Sequence, residues 1–232
     1  GIEAVIVMPN NTPFIKVSNT QNLGARVELH GDNLNEASQF AHSLADEKGY
    51  VIIHPYDDDL VMTGQGTLAI EMLEQNPDLD ILVAPIGGGG LISGIAAALK
   101  MLRPQVAIVG VEPELANDAQ LSLRRGEIVA LPIEQTRETA ADGMRATQLG
   151  DITFRYICEY VDDIITVSEE EIRAAVRTLA LDSRLVAEPS GAVTAAALFN
   201  RRHELPPARK IAAIISGGNV DPQLVAEILS GC

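Results

Sequence analysis

Asp80-Ile81-Leu82-Val83-Ala84-Pro85-Ile86-Gly87-Gly88-Gly89-Gly90 decides the fold. Its first seven residues are apolar almost throughout and β-branched, with no alternation, the pattern of a strand buried on both faces. Four glycines follow, and then Leu91-Ile92-Ser93-Gly94-Ile95-Ala96-Ala97-Ala98-Leu99, small and apolar, with the length and composition of a helix. The glycines permit a tight turn and let backbone N–H groups approach a ligand with no Cβ in the way. A helix N-terminus adds partial positive charge and unpaired donors. The stretch is therefore a candidate phosphate cradle between a buried strand and a helix.

Working outward, strand and helix patterns alternate along the whole chain. Strands are expected near 4–8, 26–30, 50–53, 80–86, 106–112, 163–167 and 211–216. Helices are expected near 12–22, 33–48, 64–75, 90–102, 115–125, 151–160, 169–183, 190–202 and 221–229. Such alternation predicts an α/β fold, with parallel sheet and crossover helices. Ser168 followed by three glutamates is a good helix start, a capping hydroxyl and then acids in the first turn. His54 to Leu60, with Pro55 and three aspartates, resembles a connection between two units. The division expected is a small α/β domain over 1–54 and a larger ligand-binding domain over 55–232. Residues 129–150 lack periodicity, and a long irregular loop in a compact domain is more often functional than not.

The apolar run Ala4-Val5-Ile6-Val7-Met8 has the pattern of a fully buried strand, yet no strand precedes it. A buried parallel strand needs neighbours on both sides, so a fragment lacking N-terminal elements is expected. Bulk composition is that of an ordinary globular protein, 47% hydrophobic and 21% charged. The net charge of −15 argues against nucleic acid or anionic membranes as partners. No apolar run is long enough to span a bilayer. Cys158 and Cys232 show no metal-ligand spacing, which points to a reducing compartment and a cytoplasmic location. His30, His42, His54 and His203 are scattered, with no triad or zinc spacing.

Further motifs sit where ligand loops belong. Ser216-Gly217-Gly218-Asn219 follows the apolar run 211–215, at the carboxyl end of an expected strand. Glu188-Pro189-Ser190-Gly191-Ala192 enters a small-residue helix, and Gly64-Gln65-Gly66-Thr67 has the form of a helix start. Glu112, Ala116 and Asp118 flank Pro113; two carboxylates with a carbonyl between them suit a hard cation, and a solvated acidic turn suits the same spacing. A dinucleotide is the rival ligand for the glycines, with Glu112 as the ribose carboxylate of a Rossmann unit over 80–112. The G-x-G-x-x-G spacing is not met, however, because Gly88, Gly90 and then Ser93 fill those positions.

In order, Gly64-Gln65-Gly66-Thr67, Gly87 to Leu91, Glu112-Pro113, Ala141-Asp142-Gly143, Glu188 to Ala192 and Ser216 to Asn219 resemble one family over the whole chain. It is the pyridoxal-phosphate-dependent serine/threonine dehydratases and serine racemases, fold-type II relatives of tryptophan synthase β and cysteine synthase. The resemblance implies that backbone N–H groups of Gly87, Gly88, Gly89, Gly90 and Leu91 hold the phosphate of pyridoxal 5′-phosphate. It implies that Ser216 hydrogen-bonds the pyridine nitrogen, that Asp142 and Gly143 line the substrate side, and that Glu188 lies near the ring. Glu112, the Ala116 carbonyl and Asp118 match that family's site for Mg²⁺ or Ca²⁺. The implied activity is dehydration of threonine or serine to a 2-oxo acid and ammonia, in a homo-oligomer (dimer or tetramer). Serine racemisation and hydroxyaspartate dehydration are alternatives within the family.

One departure is large. The family's Schiff-base lysine lies in a Ser-x-Lys-x-Arg segment, and none of Lys16, Lys48, Lys100 and Lys210 has that context. The 232 residues alone are therefore expected to be inactive. A nicotinamide-dependent oxidoreductase and a non-catalytic oligomerisation partner are the readings from other classes.

Overall fold

The computed structural model describes residues 1–230, and Cys232 lies outside them. Contacts divide the chain into two compact units, Gly1–Ile53 with Asn219–Glu227, and His54–Gly218 with the described residues from 228 on.

In the smaller unit, β1 (Val5–Met8) and β2 (Arg26–Leu29) form a two-stranded parallel sheet, Val5 opposite Arg26 and Met8 opposite Leu29. α1 (Phe14–Asn22) is the crossover between them, and α2 (Leu34–Lys48) follows. Asn33 caps α2 through its side chain, which accepts the Glu36 N–H at 2.9 Å, and Gly49 closes it in the left-handed region at φ 69°. β1 departs from the buried strand its sequence suggests: Ile6 is 37% exposed and its neighbours are half-buried. The run 50–53 is not a strand. Its β-branched residues fit the pattern, but a strand also needs a ladder partner, and β1 and β2 pair only with each other among the described residues.

The larger unit is built on a parallel sheet of order β5-β4-β3-β6, made of β3 (Ile81–Pro85), β4 (Ala107–Pro113), β5 (Asp163–Val167) and β6 (Ile211–Ala213). Every residue of β3 is buried, as a strand covered on both faces requires. The apolar core runs from Leu82, Ala84 and Ile86 through Ile108 and Ile164 to Ile92, Ile95 and Leu99 of α4 (Gly90–Leu102).

α3 (Asp59–Gln75) starts five residues before the expected helix, because Asp58 caps it by accepting the N–H groups of Leu60 and Val61 at 2.8 and 3.0 Å. Gly64 and Gly66 therefore lie within the helix and do not start it. Gly66 has a packing reason. A Cβ there would stand 2.9 Å from the Gly94 carbonyl oxygen, and one on Gly94 would overlap the Met62 carbonyl oxygen. α3 and α4 thus touch backbone to backbone through two glycines.

The helices that follow α4 are α5 (Asp118–Arg125), α6 (Ile133–Thr136), α7 (Asp151–Tyr160), α8 (Glu169–Asp182), α9 (Pro189–Asn200) and α10 (Pro222–Ser230). Ser168 caps α8 as its sequence predicts. Its hydroxyl accepts the Glu171 N–H at 3.2 Å, and the Glu171 carboxylate accepts the Ser168 N–H at 2.8 Å. Among the described residues no helix is long and apolar enough to cross a membrane.

Candidate functional site

The chain runs from β3 outward through β4 to β5 and then crosses to β6 on the other side of β3, so the strand order reverses between β3 and β6. In an open parallel sheet that switch opens a crevice at the carboxyl ends of the strands. The glycine loop follows β3, and Ser216 lies just beyond β6. Gly87 and Gly88 are half-buried, while Gly89 and Gly90 are buried. Gly89 sits at φ 91° as the residue before α4, a backbone state that costs a side-chain-bearing residue energy. Its position also leaves no space, since a Cβ would lie 2.9 Å from the Thr153 Cβ.

The remaining motif loops gather around this one by close backbone approach. A Cβ on Gly87 would lie 3.0 Å from the Gly143 carbonyl oxygen. Gly143 N–H donates to Ser190 Oγ at 2.9 Å. A Cβ on Gly191 would overlap the Gly217 carbonyl oxygen, and one on Gly217 would overlap Oε1 of Glu188. Glu188 N–H donates to the Gly217 carbonyl at 3.0 Å. Gly87–Gly90, Asp142–Gly143, Glu188–Gly191 and Ser216–Gly218 therefore form one cluster, though more than 120 residues of sequence separate its ends. A cavity of about 510 Å³ opens beside it, lined by Gly90, Leu91, Ile215 and Ser216 together with Gly64 and Gln65 of α3.

The loop bearing Asp142 is pinned from several directions. The Arg145 guanidinium donates to the Thr139 carbonyl at 2.6 Å, and the Glu169 carboxylate accepts the Ala140 N–H at 2.7 Å. Asp142 is half-buried in a 3-10 turn. An irregular backbone held this firmly can present a side chain with little loss of entropy on binding.

Glu112, Ala116 and Asp118 are buried, with 0%, 1% and 1% of their surface exposed. Glu112 accepts the N–H groups of Ala119 and Gln120 at 3.0 and 2.8 Å. Burial first, and then the neighbouring Asp118 charge, push its carboxyl well above the usual carboxylate range. Burial likewise raises Asp118 to about 7. Asp118 Oδ2 is buried with no hydrogen-bond partner among the described residues. The solvated acidic turn is thereby excluded. So is Glu112 as a ribose ligand, because its carboxylate is turned into the core and held by α5. Among the described residues no three or more His, Cys, Asp or Glu side chains form a metal cluster. The two carboxylates are hard oxygen donors, of the kind that suit Mg²⁺ or Ca²⁺.

Three residues of the site were not legible as such. Tyr56 packs on the glycine loop: a Cβ on Gly88 would overlap its ring, and one on Gly90 would stand 2.9 Å from its Cα. Asp57 caps α7 by accepting the N–H groups of Ile152 and Thr153 at 2.9 and 3.0 Å. Thr153 donates its hydroxyl to the Gly88 carbonyl at 2.9 Å. Only the Pro55-Tyr56-Asp57 sequence, an aromatic inside an acidic connection, offered any signal. Cys158 is a free, exposed thiol.

A glycine loop at the switch point of a parallel sheet, ringed by three further loops, makes this an α/β protein with a candidate site for a small-molecule anion. Residues 1–217 match the family model described as pyridoxal-phosphate dependent enzyme, and the chain belongs to that family. It is 40% identical over 230 residues to an L-threonine ammonia-lyase of Thermotoga maritima, covering 99% of this chain and 56% of that protein. It is 42% identical over 231 residues to an L-threo-3-hydroxyaspartate ammonia-lyase of Saccharomyces cerevisiae, covering 100% of this chain and 70% of that one. The solved structure of maize serine racemase superposes with a TM-score of 0.91 at 36% identity, over 100% of this chain and 70% of the racemase. The chain thus spans between about half and about two thirds of the length of these relatives.

Proposed function

We propose that this chain supplies the cofactor-phosphate and substrate-side walls of a dehydratase acting on threonine or serine. The observation that carries the proposal is the convergence of the four motif loops beside one cavity shared by Gly90 and Ser216. The residues present fit pyridoxal 5′-phosphate: the glycine loop carries no side chains of its own, and Ser216, which bears a hydroxyl, lines the same cavity as Gly90 and Leu91. When bound, that cofactor supplies the electron sink for removing the α-proton and expelling the β-hydroxyl.

This chain's own residues bind and orient. Backbone N–H groups from Gly87 to Leu91 take the phosphate, helped by the positive end of α4. Ser216 hydrogen-bonds the ring nitrogen. A neutral hydroxyl there, unlike a carboxylate, would accompany that nitrogen without holding a proton on it. Asp142 and Gly143 face the substrate, and Glu188 stands near the ring. Glu112, the Ala116 carbonyl and Asp118 would hold Mg²⁺ or Ca²⁺, which would offset the charge of two carboxylates whose ionised forms burial disfavours. None of the four lysines supplies the Schiff base: Lys48, Lys100 and Lys210 are paired with Glu47, Asp162 and Asp78, and Lys16 lies in a segment unlike the family's. The 232 residues therefore bind the cofactor without turning over substrate.

Racemisation of serine is the second reading, favoured by the likeness to maize serine racemase. The test is a titration of the chain with pyridoxal 5′-phosphate and, separately, with NAD, followed by assay of 2-oxo acid and of D-serine from L-threonine and L-serine. Preference for the phosphate cofactor with no turnover is expected. Preference for the dinucleotide, or full dehydratase activity from these residues alone, overturns the proposal.

A further inference from the structure

We infer that Thr153 is a positioning residue of the anion cradle: its hydroxyl sets the plane of the Gly88–Gly89 peptide. The inference rests on the proposed function only in naming the ligand. Thr153 is fully buried in the first turn of α7. Its hydroxyl donates to the Gly88 carbonyl at 2.9 Å and accepts the Gly150 N–H at 3.0 Å. No cis peptide occurs among the described residues, so the carbonyl of Gly88 and the N–H of Gly89 point in opposite directions across one rigid plane. Holding the carbonyl on Thr153 therefore aims the Gly89 N–H away from α7.

Glycine makes this anchor necessary. A loop of four glycines has many backbone states, and a cradle needs one of them. Three other contacts hold Thr153 in turn. Asp57 accepts its N–H at 3.0 Å, Ser93 Oγ donates to its carbonyl at 3.3 Å, and the place of a Gly89 Cβ is occupied by its own Cβ. The Gly88–Gly89 peptide is thus tied to α7 on the side opposite to its own N–H.

The experiment compares the full chain with T153V, which keeps the shape and loses the hydroxyl, and T153S, which keeps the hydroxyl and loses a methyl. Calorimetric titration with pyridoxal 5′-phosphate is combined with amide hydrogen exchange across 87–91 in the ligand-free chain. T153V is expected to bind about tenfold more weakly and to exchange faster at Gly88 and Gly89, because the half-buried Gly88 carbonyl loses its donor. T153S is expected to keep the affinity of the natural chain although it loses a methyl that T153V retains. Equal affinity in T153V, or a loss in T153S as large as in T153V, overturns the inference. Absence of cofactor binding by the natural chain instead sinks the proposed function, and the exchange comparison then decides Thr153 alone. If T153V does not fold, the natural chain decides: added cofactor must slow exchange at Gly150 and Thr153 together with Gly89, and unchanged exchange there overturns the inference.

Discussion

Asp118 has the sharpest electrostatic consequence of any single residue. Its carboxyl titrates near 7 in the folded chain and near 3.8 in a free chain, because burial disfavours the ion. Between those values the folded state holds a proton that the unfolded state has released. The contribution of Asp118 to stability is therefore most favourable below pH 3.8 and declines as pH rises towards 7, by up to about 1.4 kcal/mol per pH unit for one proton. Glu112 shifts in the same direction and adds to the trend. The metal-free chain is expected to melt at progressively lower temperature between pH 5 and pH 7.5, with the carboxylates repelling each other at the upper end. Asp118→Asn should flatten much of that slope. At pH 8, Mg²⁺ or Ca²⁺ should raise the melting temperature of the natural chain and leave that of D118N nearly unchanged. A pH-independent melting temperature in the metal-free chain contradicts this account.

At the scale of the element, the contact between α3 and α4 separates three glycines that look alike in the sequence. Gly94→Ala would drive a methyl into the Met62 carbonyl oxygen, and backbone cannot change rotamer to escape it. The helices must part, so urea denaturation should show a loss of about 3 kcal/mol. Gly64 is exposed with nothing within 4 Å of its absent Cβ, so Gly64→Ala should gain about 0.5–1 kcal/mol by removing backbone freedom from the unfolded chain. Ser168→Ala lies between, with a loss of about 1 kcal/mol from the cap of α8. The same elements mark what sequence reveals. β3 and the Ser168 cap are legible because burial on both faces and a capping box leave local patterns. Gly66 and Gly94 are not, because a helix crossing depends on a partner about thirty residues away. Residues 50–53 look like a strand for the converse reason, since their pattern is local and the ladder they need is not. The site divides likewise: the glycine loop and Ser216 are written in motifs, whereas Tyr56 and Thr153 reach that loop only through the folded chain.

For the whole molecule, the net charge of −15 and an anion-binding loop pull in opposite directions. The cradle's attraction comes from N–H groups and a helix end, dipolar sources that act within the first turn. The repulsion comes from many separated charges and extends for a Debye length, roughly 30 Å at 0.01 M salt and 8 Å at 0.15 M. A dianionic phosphate ester approaching at low salt therefore meets the net field first, and added salt removes that barrier while barely touching the short-range contacts. The association rate constant for pyridoxal 5′-phosphate is expected to rise several-fold between 0.01 and 0.15 M salt, with a smaller change in the dissociation rate constant. Stopped-flow absorbance at the two ionic strengths measures both. A rate constant that falls with added salt would mean that positive charge near the glycine loop, and not the acidic surface, governs the encounter.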